Sequence, residues 1–144
     1  GDLQTSRQVI SRFCAKRVMQ QIDAKGRMPH ELARTKPFNY SVFNLQAMVN
    51  MALLADRLGE KMLPDGCAAD HRIQRAVEYV ANLSASGNGW PVKPTDPAYE
   101  PVFELLWLMQ LLTGDERYRD QAMNTGRAFE QSVIHLLLPA QTMK

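Results

Sequence analysis

Arg34, Lys36, Asn39 and Tyr40 crowd into one short stretch, Glu31 to Leu45 (ELARTKPFNYSVFNL), just before a long apolar run. Those residue types suit binding an anion and moving a proton. A guanidinium and an ammonium hold carboxylates, a phenol exchanges a proton, and the unpaired N–H groups at the start of the following helix add partial positive charge. The competing reading is a solvated basic loop before a helix. His30 is a candidate proton carrier or an ordinary surface residue. Glu31 is expected to pair with a neighbouring cation, and Asn39 or Ser41 to cap the helix that follows. A second polar stretch, SASGNGWPVKPTDPA over 84–98, supplies Asn88, Trp90, Lys93 and Asp96. An indole face stacks on a pyranose ring while cations hold its carboxylates, so Trp90 and Lys93 are candidate contacts to an acidic sugar; alternatively Trp90 pins its loop to the core.

Five helical segments position these stretches, and they alternate in kind. The first, about Thr5 to Ile22, is apolar on one side only. Ser41 to Leu58 is apolar nearly all round, Asp70 to Leu83 returns to one stripe (Ile73, Ala76, Val77, Val80, Ala81), and Tyr99 to Leu112 is again apolar round most of its circumference, with Trp107 in the core. The last, about Asp115 to Leu138, turns Tyr118, Ala122, Phe129 and Val133 inward. One-sided helices face water and all-round ones are sandwiched, so the pattern predicts an all-α fold, a double-layered α/α array of outer and inner helices. Gly1-Asp2 and Gly114-Asp115 echo one another as tight turns into outer helices. By that echo an inner helix is expected before residue 1, so the chain reads as part of a larger ring or stack. The long outer-to-inner linkers, 23–40 and 84–98, are expected to meet at one mouth, and loops of that length are usually functional.

Composition narrows the classes. At 144 residues the chain suits a single unit with a core of its own, and 45% hydrophobic with 22% charged residues is ordinary for a globular protein. A net charge of +2, without a basic run carrying interleaved aromatics, argues against nucleic acid. No stretch is long and apolar enough for a membrane span, and no signal segment opens the chain. Cys14 and Cys67 match no metal spacing, which leaves either a long-range disulfide or two free thiols. Cys14 lies on an apolar stripe with Val9, Ile10, Phe13 and Val18, a placement that favours a buried thiol. Neither a metal nor a cofactor is expected.

The stretch ELARTKPFNYSVFNLQAMVNMALLADRLG resembles the central signature of the alginate lyase family of helical toroid polysaccharide lyases, and FELLWLMQLLTGDERY is similar to that family's inner-helix and turn pattern. The resemblance covers most of the chain. It implies β-elimination on a uronate polymer in the periplasm or outside the cell. It further implies that Tyr40 donates, and possibly also removes, a proton and that Arg34 binds a substrate carboxylate; by residue type and placement, His30, Lys36, Asn39, Trp90 and Lys93 are expected around the sugar. Two features depart from the pattern: the family's Asn-His pair on an earlier helix is missing, and Asn39 stands where relatives often carry His. The chain is therefore expected to be the C-terminal half of a lyase domain, inactive alone, that self-associates or pairs with a missing N-terminal half. The alternative is a non-catalytic helical repeat module that binds acidic sugar or a protein partner.

Overall fold

The computed structural model describes residues 2–63, 67, 71–86 and 99–124. Among these, six helices and no strand are present. α1 (Leu3–Phe13) opens on Asp2, whose carboxylate accepts from the Gln4 N–H at 2.9 Å and the Thr5 hydroxyl at 2.5 Å. Those bonds hold the Asp2 carboxyl below its ordinary value. The helix continues through a π turn, Cys14–Val18, into a last turn, Met19–Gln21. α2 (Pro29–Leu32) is a single turn, and α3 (Pro37–Arg57) is the longest element. α4 (Arg72–Ser86) and α5 (Tyr99–Thr113) follow. α6 (Glu116–Met123) is capped by Asp115, which accepts from the Arg117 N–H at 3.0 Å. Asp2 and Asp115 thus do the same job at α1 and α6, with Gly114 supplying a positive φ of 73° before the second.

The layering follows the apolar patterns. α3 and α5 pack on one another, burying Val42, Leu45, Met48 and Val49 against a neighbour that buries Phe103, Leu105, Leu106 and Met109. Trp107 is buried and meets Phe103 edge-on, with ring centroids 6.3 Å apart. α4 lays its single stripe, Ile73, Ala76, Val77, Val80 and Ala81, on this pair, while Tyr118 and Ala122 anchor α6. Phe129 and Val133 lie outside the described residues.

Three expectations need correction. First, the cysteines are not free: Cys14 and Cys67 form a disulfide with Cα atoms 5.0 Å apart. The chain leaving α3 returns along α1, touching it at Arg7 through Glu60 (2.5 Å), at Cys14 through Cys67, and at the Met19 and Ile22 carbonyls through the Arg72 guanidinium (2.9 and 2.6 Å). Secondly, the apolar stripe of α1 is buried only in its second half: Cys14, Val18 and Ile22 are covered, whereas Val9 is 52% exposed. Thirdly, α3 is not covered all round, since Phe43 is 72% and Leu54 56% exposed. An open apolar groove of about 380 Å³ runs between α1 and α3, lined by Val9, Ile10, Met51, Leu54 and Leu58 among others.

Gly26 fixes the way into the candidate site. Asp23 folds residues 23–27 into a turn, its carboxylate accepting from the Lys25 and Arg27 N–H groups at 2.8 and 2.9 Å. Burial pushes the Asp23 carboxyl up, but the hydrogen bonds from Arg27 and Lys25 outweigh it and leave the group lowered. Gly26 has φ +78° and lies against the backbone of α4, so close that a Cβ there would stand 2.3 Å from the Arg75 carbonyl oxygen. Arg75 answers with a guanidinium bond to the Ala24 carbonyl at 2.9 Å. The turn is therefore seated on α4 from both directions.

Candidate functional site

From this turn the chain passes through Met28, which is buried, into α2. Pro29 takes the first helical position, where its missing N–H costs nothing. The turn closes with Leu32 N–H donating to the Met28 carbonyl at 2.9 Å and Arg34 N–H to the Glu31 carbonyl at 3.1 Å. α2 therefore projects Glu31, and Arg34 follows in the bend just beyond it.

α3 begins at Pro37, four residues before the expected Ser41, and its capping residue Lys36 makes no side-chain cap bond. Neither Asn39 nor Ser41 is the cap. Both lie inside the first turns of the helix, Asn39 half-buried and Ser41 fully buried. Tyr40 accordingly belongs to the helix rather than to the linker, its N–H donating to the Lys36 carbonyl at 3.1 Å. That places Tyr40 and Asn44 one turn apart on one face of α3.

The Arg34 guanidinium carbon lies 3.4 Å above the centre of the Tyr40 ring, a cation–π contact. Arg34 Nη1 also donates to Glu31 Oε2 at 3.3 Å, bearing out the expected pairing of Glu31 with a nearby cation. The other Glu31 oxygen accepts from Asn44 Nδ2 at 3.5 Å, and that amide is shared with Gln21 Oε1 at 3.0 Å and the Met28 sulfur at 3.9 Å. Asn44 and Gln21 are participants that sequence reasoning passed over. The available signal was the spacing of Asn44 from Tyr40, which is helical.

Arg34 and Tyr40 are thus in contact, with Asn39 beside Tyr40 on the first turn of α3. Tyr40 is half-buried, while Arg34, Lys36 and His30 are exposed. Chemically, this is a held phenol with a cation on its face. Trp90 and Lys93, with Asn88 and Asp96, lie outside the described residues, as does the expected meeting of the two linkers at one mouth. Among the described residues no group of His, Cys, Asp and Glu is placed to hold a metal ion, and no helix is long and apolar enough to cross a membrane.

The described helices thus form a layered all-α array with a guanidinium on a tyrosine ring at the start of an inner helix. A crystal structure of an alginate lyase from Bacteroides ovatus, determined at 1.60 Å, is similar to this chain with a TM-score of 0.82 at 24% identity, over 95% of this chain and 37% of that one. The fold is therefore part of an α/α toroid, and the chain spans just over a third of the length of that relative. The sequence profile of the alginate lyase family matches residues 1–90, and the chain belongs to that family. No curated protein matches.

Proposed function

We propose that this chain carries part of the active site of a polysaccharide lyase that cleaves a uronate polymer by β-elimination. The observation that supports the reading is the Arg34 guanidinium held 3.4 Å over the Tyr40 ring. In this reaction a base removes the C5 proton, the C–H electrons form the C4=C5 double bond, and the C4–O4 bond breaks as O4 takes a proton. Two obstacles stand in the way: the C5 proton is weakly acidic until the neighbouring carboxylate is neutralised, and the alkoxide leaves poorly unless it is protonated. Arg34 answers the first as a carboxylate donor and Tyr40 the second as the proton source. His30, Lys36 and Asn39, with Trp90 and Lys93, would contact the sugar.

The catalytic unit is larger than this chain in the proposed reading. The toroid relative is longer, the Asn-His pair of the family is not found here, and the apolar groove between α1 and α3 offers a surface on which further toroid helices would pack. Catalytic groups that act as a unit lose most of their effect when one is missing. The Cys14–Cys67 disulfide supports a periplasmic or secreted location, because such bonds persist in oxidising compartments.

The test is Tyr40→Phe, assayed as ultraviolet-absorbing unsaturated product from polymannuronate, polyguluronate and glucuronan, with the chain alone and joined to the remaining toroid helices. Turnover is expected to fall by roughly 10²- to 10⁴-fold while oligouronate affinity changes little. Turnover that survives the substitution refutes the role of Tyr40. Affinity for uronate without turnover in the joined form would favour a non-catalytic binding module instead.

A further inference from the structure

Arg34 leaves a bend between two helices and half of its side chain is exposed, so nothing in the backbone alone holds its guanidinium over Tyr40. A long, flexible cation in that position would sample many rotamers. Glu31 is the group that removes this freedom. Its side chain is only 18% exposed, against 51% for Arg34, and its two oxygens point their bonds at different elements. Oε2 takes Arg34 Nη1, whereas Oε1 takes the Asn44 amide, which is itself bonded to Gln21 at the end of α1.

We infer that Glu31 is a positioning residue: tied to the framework of α1 and α3 through Asn44, it fixes the Arg34 guanidinium on the Tyr40 ring before any uronate arrives. The pairing does not consume the cation. Among the described residues only Nη1 of Arg34 is engaged, and a guanidinium carries five N–H donors, so Nε and Nη2 stay open to a sugar carboxylate. Glu31 therefore orders Arg34 without competing for the groups that the substrate would use. The consequence for turnover rests on the lyase reading above; the placement of Arg34 does not.

The experiment begins with isotope-labelled chain and the NMR signals of the Arg34 guanidinium and the Tyr40 ring. The ring is expected to shift the Arg34 signals away from those of a free arginine side chain. Glu31→Ala should return them to free positions, and Glu31→Gln, which keeps an acceptor for Asn44 but loses the charge, should return them part of the way. If Glu31→Ala does not fold, Glu31→Gln still decides. Arg34 signals that stay put in Glu31→Gln overturn the inference. In a catalytically active form, Glu31→Gln is expected to raise KM by about three- to fivefold, the scale of a half-exposed ion pair, with kcat within about twofold. An unchanged KM overturns the role as well, since loss of general structure would not separate KM from kcat. Tyr40→Phe distinguishes the two ideas: if Arg34 is released by Glu31→Gln yet turnover survives Tyr40→Phe, the lyase assignment of Tyr40 fails and the positioning of Arg34 by Glu31 stands.

Discussion

Replacing Gly26 by alanine probes the seat of the whole Glu31–Arg34 segment, and the structure separates the cost into two parts. Gly26 holds φ +78°, and an added Cβ would stand 2.3, 2.5 and 2.8 Å from the Arg75 oxygen, the Arg75 carbonyl carbon and the Ala76 nitrogen. The left-handed backbone alone costs an alanine about 1–2 kcal/mol. The contact adds a second cost, because all three atoms belong to the backbone of α4 and cannot rotate aside as a side chain would. Relief requires the 23–27 turn to lift off α4, straining the bond from Arg75 to the Ala24 carbonyl, at about 1–3 kcal/mol by analogy with overpacked cores. The expected total is roughly 2–5 kcal/mol. Gly59 supplies the control: its φ is +77°, yet nothing lies within 4 Å of a Cβ there, so Gly59→Ala should cost only the first part. Urea unfolding of both variants, followed by circular dichroism, gives the difference directly. If Gly26→Ala falls within about 0.5 kcal/mol of Gly59→Ala, the close approach to α4 carries no energy and the argument for a seated turn is wrong.

The disulfide closes a sequence separation of 53 residues, which by loop entropy is worth about 4 kcal/mol. The Cys14→Ser/Cys67→Ser variant and the reduced wild type should therefore unfold at matching, much lower urea concentrations; a double variant as stable as the oxidised chain would refute the bond's role. Tyr118 is buried, and burial first, then the charges of Glu78 and Asp115, push its phenol above its ordinary value of 10.0. The folded chain thus keeps a proton that the unfolded chain loses, so this contribution is intact below pH 10.0 and is lost as pH rises above it, by at most about 1.4 kcal/mol per pH unit. Tyr118→Phe should flatten the alkaline decline of stability; an identical decline would show that another group governs it.

The sequence made the faces of the helices legible but not their partners, and the reason is physical. An apolar stripe such as Ile73, Ala76, Val77 and Val80 records which side of a helix is buried, because every residue on that side is selected by the same burial. It does not record what lies opposite. α3 carries apolar residues all round, yet Phe43 and Leu54 are largely exposed, and the same pattern would read alike had they been covered. Cys14 poses the same difficulty: an apolar stripe suits a thiol and a half-cystine equally, and the choice was settled by the path of the chain back along α1 to Cys67. The candidate site was readable as a cluster of residue types and unreadable as a geometry. Pro37 looked like part of the linker, whereas at the first position of a helix it is a starter, and moving that boundary by four residues put Tyr40 on the helix. Once Tyr40 and Asn44 share a face, the rest follows from chemistry. An amide on the framework orients Glu31, a carboxylate so oriented draws the nearest guanidinium, and that guanidinium settles on the adjacent aromatic ring.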